Sequence, residues 1–390
     1  MDAGARGDSP TGADPKEYVG RIGSIESIRL NYQVMTDEAR NETPAQRPTL
    51  AAVAALAGVS RSTASLAFSG SGPVAATTRE KVMAAAATLG YGGPDPMARS
   101  LRRGRSGIVG VVVEDRLRDA FRDPMNIAML DGLADETGTM GSALLLLTDT
   151  AEENAPISTA PMDAVVLVGC STRLDASVEV LRQRGIPIVA IEAEPMAGVL
   201  DVALDNQEAS AAGARHLFEL GHRDVAVVTL PLGAAHASGP LMPDWEERAT
   251  AFTAAERLRG VLKVFASIRG WMAPASSTAS GYTAGIALLT QPEGRPTAII
   301  AQSDLLALGV IRAAEELGLN VPDDVSVLGF DGIRTDGYGT GELTTLVQPA
   351  VEKGRAAGRA IARLLAGEEP PAVQLRSALR IGATTAAPRP

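Results

Sequence analysis

One cysteine (Cys170), three histidines and an aromatic content of 3% are the scarcest features of this 390-residue chain, and each scarcity closes off a class of function. A lone cysteine forms no intramolecular disulfide and no multi-cysteine zinc site, and it suits a reducing compartment. His216, His222 and His236 lack the spacing of metal ligands, so no metal is expected. The chain has no Gly-x-Ser-x-Gly elbow, no His-Glu-x-x-His, no Walker loop and no Gly-x-Gly-x-x-Gly after a strand. No enzyme and no cofactor are therefore expected. No window carries the run of apolar residues that a membrane helix needs, and the N-terminus is polar and acidic, unlike a signal peptide. The expected location is the cytoplasm, away from any membrane.

What the chain does have is apolar substance and a lopsided charge. A hydrophobic content of 45% over this length supports two or three globular units. The net charge of −10 argues against a nucleic-acid partner until its distribution is read. Between Gln46 and Ser106 eight basic residues face two acidic ones, +6, which leaves −16 on the rest. A small basic module on a large acidic body is how a protein grips DNA at one end and keeps it off the other.

Within that module, residues 49–68 read as two short helices joined at Gly58-Val59-Ser60. Val53, Ala54, Leu56 and Ala57 form an apolar stripe on the first, and Val59, Thr63, Ala64 and Phe68 form another on the second. Glycine tolerates the left-handed backbone that ends a helix, and Ser60 is placed to cap the next one. Arg61, Ser62 and Ser65 remain outside as donors for phosphates and base edges. This is a helix-turn-helix pattern, and an Ala-rich hairpin with a glycine turn is the competing reading. A third helix is expected over 77–89, with Thr77 and Glu80 at capping-box spacing.

From Gly107 the pattern alternates strands with helices. Apolar runs at 108–113, 143–147, 164–168, 188–191, 225–229, 297–301 and 325–330 predict strands buried on both faces, hence parallel sheets with right-handed crossovers. Residues 206–220 and 304–317 carry helical periodicity. The expected organisation is a disordered extension over 1–46, an all-α DNA-binding head over 47–92, a linker over 93–106 and a two-lobed α/β core over 107–390.

These residues resemble the lactose-repressor (LacI) family of bacterial transcriptional regulators. The head motif stands at Thr49, Leu50, Val53, Ala54, Ala57 to Ser60, Thr63 and Ser65. Thr78 to Val82 and Gly90-Tyr91 match the third helix and its exit, Ala98-Arg99-Ser100-Leu101 the hinge helix, and Gly221-His222-Arg223 a landmark of the core. Pro322 to Asp331, followed by Leu343-Thr344-Thr345, matches the family's core signature. The resemblance implies a periplasmic-binding-protein-like core with an effector between its lobes, and a homodimer whose two heads read a pseudo-palindromic operator. It also implies that Leu101 wedges into the central minor groove, with Ala98 against its floor and Arg99 beside it. Thr49, Leu50, Ser60, Tyr91 and Ser69 complete the DNA-contacting set that it suggests. Leu66 and Ser69 stand where the family often has arginine and asparagine, Asp95 where it has asparagine, and Ala75 where a serine caps the third helix.

In such a core the ligand lies beyond the carboxyl ends of the strands. Asp115, Ser303, Asp304 and Asp331 follow strands and are expected there, as is Arg248, whose spacing to Ala251-Phe252 resembles the family's effector-clamping arginine. The competing readings are a helix cap for Asp304, a turn aspartate for Asp331 and a surface arginine for Arg248. Asp123 to Asn126 lacks the family's aromatic pair, which leaves a stacking wall to Trp245, Trp271 or Tyr338 or to nothing. The function expected is a repressor of a carbohydrate-utilisation operon, bound to operator DNA and released by a small-molecule effector, a sugar. A solute-binding protein without DNA-dependent regulation, and a regulator activated by a non-sugar co-repressor, are the alternatives.

Overall fold

The computed structural model describes residues 48–70, 72–93, 104–113, 120–148, 156–169, 175–233, 236–292, 294–334 and 342–389. The chain divides into two compact units, Met1–Arg99 and Ser100–Pro390. The expected extension over 1–46 and residues 94–103 of the expected linker lie outside the described residues.

Three helices make the first unit: α1 (Leu50–Ala57), α2 (Arg61–Ser69) and α3 (Ala76–Leu89). Thr49 caps α1 by accepting the Ala52 amide, and Ser60 caps α2 by accepting that of Thr63. Between them Gly58 takes the left-handed backbone, φ 66°, and α2 leaves at 104° to α1. Val53, Ala54, Ala64, Ala67, Val82, Ala85 and Ala86 form the core, and their small side chains let three short helices cross closely. Two details depart from the sequence expectation. Leu56 is 55% exposed rather than buried, and α3 starts at Ala76, with Thr77 inside it and no side-chain cap at Ala75.

The second unit is two doubly wound lobes. The first holds β1 (Ile108–Val113), α4 (Pro124–Thr139), β2 (Ala143–Thr148), α5 (Pro156–Thr159), β3 (Ala164–Val168), α6 (Asp175–Gln183), β4 (Ile188–Ile191) and β5 (Leu200–Leu204). The second lobe runs through α7 (Asn206–Leu220), β6 (Val225–Thr229), β7 (Gly239–Pro240), α8 (Trp245–Arg248), α9 (Phe252–Leu262), β8 (Arg269–Met272), α10 (Thr278–Leu289), β9 (Ala298–Ala301), α11 (Asp304–Glu316), β10 (Ser326–Asp331) and β11 (Thr345–Val347). The chain then returns through α12 (Ala350–Leu365) and adds β12 (Val373–Leu375) to the first sheet and β13 (Ala378–Arg380) to the second.

The first sheet, ordered β12-β5-β4-β3-β1-β2, is parallel throughout. In the second, β13-β11-β10-β9-β6-β8-β7, only the edge pairs β11/β13 and β8/β7 are antiparallel. Setting aside the two-residue edge strand β7, both lobes share one strand plan, with β1 between β2 and β3 and β6 between β8 and β9. That plan opens a crevice at the carboxyl ends where the order reverses. Because β5–α7, β11–α12 and β12–β13 all pass between the lobes, their strand ends face one another across a cleft.

Candidate functional site: the cleft between the lobes

A cavity of about 220 Å³ occupies that cleft, and strand ends supply much of its wall: Val113 of β1, Val168 of β3, Ile191 of β4 and Asp331 of β10. Helices and their caps add Asp123 before α4 and Met125 within it, Phe252 and Arg257 from α9, Ser303 before α11, and Ala350 and Lys353 from α12. Among the described residues, the three non-glycine residues with positive φ are Glu192 (57°), His236 (46°) and Asp331 (128°), and all three line this cavity. Such backbone is held at a cost of about 1–3 kcal/mol each, and strain of this kind collects where a side chain must be aimed at a ligand.

A buried ionic network forms the floor. Glu192, directly after β4, accepts a hydrogen bond from Asn206 Nδ2 at 2.6 Å and pairs with Lys353 of α12, which also donates to Gln348. Arg257 donates through Nε to Asn206 (2.8 Å) and through Nη1 to the Gln302 carbonyl (2.6 Å). Its guanidinium lies 3.6 Å from the Phe330 ring centre, 3.9 Å from Glu192 and 3.7 Å from Asp331. Asp331 in turn accepts from Gln348 Nε2 at 2.5 Å. Arg257, Asn206, Lys353 and Asp331 are each at most 5% exposed, so these charges have left water and depend on one another. Burial alone would raise the Glu192 carboxyl, but Lys353 and Arg257, with the Lys353 and Asn206 hydrogen bonds, hold it below its ordinary value. Asp331 goes the other way, pushed well above the usual range by burial against the pull of Arg257.

Behind Asp331 sits Asp304, fully buried, its carboxylate accepting from the Gly332 and Ile333 amides (2.7 and 2.8 Å) and from Thr345 Oγ1 (2.5 Å). Burial pushes its carboxyl up to about 6, against those hydrogen bonds. A carboxyl with a raised folded pKa favours the fold when protonated, so its contribution is present below its unfolded value and lost as pH rises through about 6. Asp304→Asn, neutral throughout, is expected to gain on the parent by on the order of 3 kcal/mol between about pH 4 and pH 7.5. Urea unfolding at both pH values reads this, and a pH-independent difference contradicts it.

The comparisons with known proteins agree with this architecture. Residues 49–93 match bacterial regulatory proteins of the lacI family, and residues 214–385 match the periplasmic-binding-protein-like domain. An HTH-type transcriptional regulator of Mycolicibacterium smegmatis is 35% identical over 340 residues, covering 82% of this chain and 91% of that one. The chain belongs to the LacI family. The HTH-type transcriptional repressor CytR of Escherichia coli is 31% identical, over 79% of this chain and 87% of CytR. Among solved structures, a transcriptional regulator CelR–cellobiose complex superposes with a TM-score of 0.61 at 26% identity, over 87% of this chain and 100% of that one. These relatives are regulators of transcription, not enzymes, and no single helix among the described residues is long and apolar enough to cross a membrane.

In this LacI-family regulator the effector residues expected from sequence divide. Ser303 and Asp331 line the cavity, and Ser303 also caps α11, its Oγ accepting from the Leu306 amide and from Ser276. Asp304 lies one layer back, holding the Asp331 turn rather than the cavity wall. Arg248 is not among the residues that line the cavity: it sits on the short helix α8, its side chain 68% exposed and bonded to Asp244 at 2.6 Å. Arg257, two turns further on in α9, supplies the buried guanidinium instead. Trp245 and Trp271 are likewise absent from the lining, where Phe252 is the benzenoid ring. Asp115, Cys170 and Tyr338 lie outside the described residues.

On the head, Arg61 and Ser62 are exposed in the first turn of α2, with Thr63 and Ser65 half-buried behind them. Leu66, 38% exposed, shares the helix, and Ser69 Oγ donates to its carbonyl at 3.3 Å. Thr49 and Ser60 serve as caps, Leu50 is half-buried against the core, and Tyr91 meets Phe68 edge-on at 5.4 Å. Ala98, Arg99 and Leu101 lie outside the described residues.

Proposed function

We propose that this protein is a cytoplasmic, ligand-responsive repressor whose homodimer holds a pseudo-palindromic operator and lets go when a small molecule fills the cleft. The observation that carries the reading is a cavity between the lobes, lined by apolar side chains with a few charged ones among them and by positive-φ residues of both lobes, in the same chain as a helix-turn-helix head. A ligand that contacts both lobes stabilises one relative arrangement of them, and operator affinity shifts by as much as the two arrangements differ in ligand affinity. Arg61, Ser62, Thr63 and Ser65 present donors to bases and phosphates. Leu101, with Ala98 and Arg99, enters the minor groove. The cellobiose bound by the structural relative supports a sugar as effector and a carbohydrate-utilisation operon as target.

Mobility-shift assays on fragments of the source chromosome test this. One or a few fragments should be retarded at moderate salt and released by a sugar, whereas no preference among fragments contradicts the reading. Leu101→Ala is expected to weaken specific binding by at least tenfold while non-specific binding changes little, measured by titrating operator and scrambled duplexes; equal losses on both remove the wedge.

A further inference from the structure

We propose that the cleft selects an uncharged, hydroxyl-rich compound the size of a single sugar ring and rejects its phosphorylated and carboxylated counterparts. This rests on the reading of the cleft as the effector site. Three carboxyl groups line the cavity, Asp123 at the start of α4, Glu192 after β4 and Asp331 at the end of β10, and two cations face them, Arg257 and Lys353. Both cations are already engaged inside the protein. Lys353 is held between Glu192 and Gln348, and Arg257 is bonded to Asn206 and the Gln302 carbonyl while stacked on Phe330. A phosphate entering here must pull one of them from its carboxylate and leave that carboxylate buried and unpaired.

A hydroxyl makes no such demand, because it donates to a carboxylate lone pair and accepts from an amide in the same contact. Glu192 and Asp331 come from opposite lobes, so one polyol that bonds to both spans the cleft. Asp123 also accepts the Met125 amide at the N-terminus of α4, where the helix dipole balances its charge. Burial keeps the Asp331 carboxyl well above its ordinary range, which favours its protonated, donating form and leaves the site without surplus charge. The volume, about 220 Å³, lies below the ~300–1,000 Å³ of drug-sized sites and fits one ring rather than two. Phe252 is the one benzenoid ring among the described lining residues.

Isothermal titration of the full-length protein decides the matter. The probes are D-glucose, D-galactose, D-ribose, sorbitol and myo-inositol, each beside its monophosphate, with glucuronate, galacturonate, cellobiose and cytidine. At least one neutral monomer is expected to bind, with its phosphorylated form at least 100-fold weaker. Equal or tighter binding of a phosphate, a uronate, cellobiose or cytidine overturns the inference, as does binding of none of the probes. In Glu192→Gln one carboxylate charge is lost and Lys353 is freed, so the preference should move at least tenfold toward the phosphate; an unmoved preference in a variant with the parent's circular dichroism also overturns it. Operator titration of the same preparation separates this idea from the one beneath it. A charged ligand that binds and alters operator affinity defeats the selectivity alone, whereas a neutral ligand that binds without altering operator affinity defeats the effector reading alone.

Discussion

Glu192→Ala should destabilise the core by about 3–5 kcal/mol, the cost of leaving buried cations without their carboxylate. The Glu192 carboxyl is held below its ordinary range, because Lys353 and Arg257, with the Lys353 and Asn206 hydrogen bonds, outweigh its burial. Its removal strands Lys353, which keeps only the Gln348 amide oxygen, and takes one of two neighbouring carboxyls from Arg257, which keeps Asp331 at 3.7 Å and its bonds to Asn206 and the Gln302 carbonyl. Against a typical total stability of about 5–15 kcal/mol, that loss threatens folding itself. Glu192→Gln keeps the shape, the positive-φ backbone and two hydrogen-bonding atoms, so it should cost less than half as much. The double replacement Glu192→Ala, Lys353→Met should recover part of the loss by removing the stranded ammonium. The sign with pH follows from the lowered carboxyl: its stabilisation is present above the unfolded value near 4.5 and disappears as pH falls through the folded one. Urea midpoints at pH 7 measure all three variants, and a change in Glu192→Ala below about 1 kcal/mol contradicts the network.

Gly354→Val should be equally severe, at about 3–5 kcal/mol, for a steric reason. Gly354 of α12 packs on α4, where an added Cβ would overlap the Met129 carbonyl oxygen and lie 2.6 Å from the Leu133 amide nitrogen. Gly132 of α4 is pressed in the same way against Val351 of α12. Two helices that touch backbone to backbone have no soft side chain to yield, so one of them must move. Because Lys353 is the adjacent residue, displacement of α12 also withdraws the lysine from Glu192. Thermal unfolding reads the first effect and ligand affinity the second. A variant with unchanged midpoint contradicts the close crossing, whereas Gly367→Ala, where a Cβ meets nothing within 4 Å but φ is 80°, should cost only about 1 kcal/mol.

Most of the architecture was legible because it follows from periodicity. The apolar runs at 108–113, 164–168 and 188–191 became strands with those bounds, and 206–220 became a helix. Strand β8, Arg269–Met272, escaped because Gly270 and Trp271 interrupt any β-branched run; its glycine is there because a Cβ would lie 2.7 Å from Val227 Cγ1. Strands β11, β12 and β13 have three residues each, too few for alternation to register. The site was legible only where turns announce it, at Ser303 and Asp331. Glu192, Arg257 and Lys353 were missed although each carried a signal: an acid closing an apolar strand, and two cations on the buried stripes of α9 and α12, beside Ala254, Leu258 and Val261 and beside Ala350, Ala357 and Ile361. A charge on an apolar face is the mark of a buried partner.

The central claim is that the cleft and the head are energetically joined, and reciprocity provides its most direct test. The affinity of the full-length protein for its cleft ligand is measured twice, free and saturated with operator, alongside the affinity for operator with and without ligand. The account predicts that operator weakens ligand binding by about 5–150-fold and that ligand weakens operator binding by the same factor. Ligand affinity unchanged by saturating operator would contradict it.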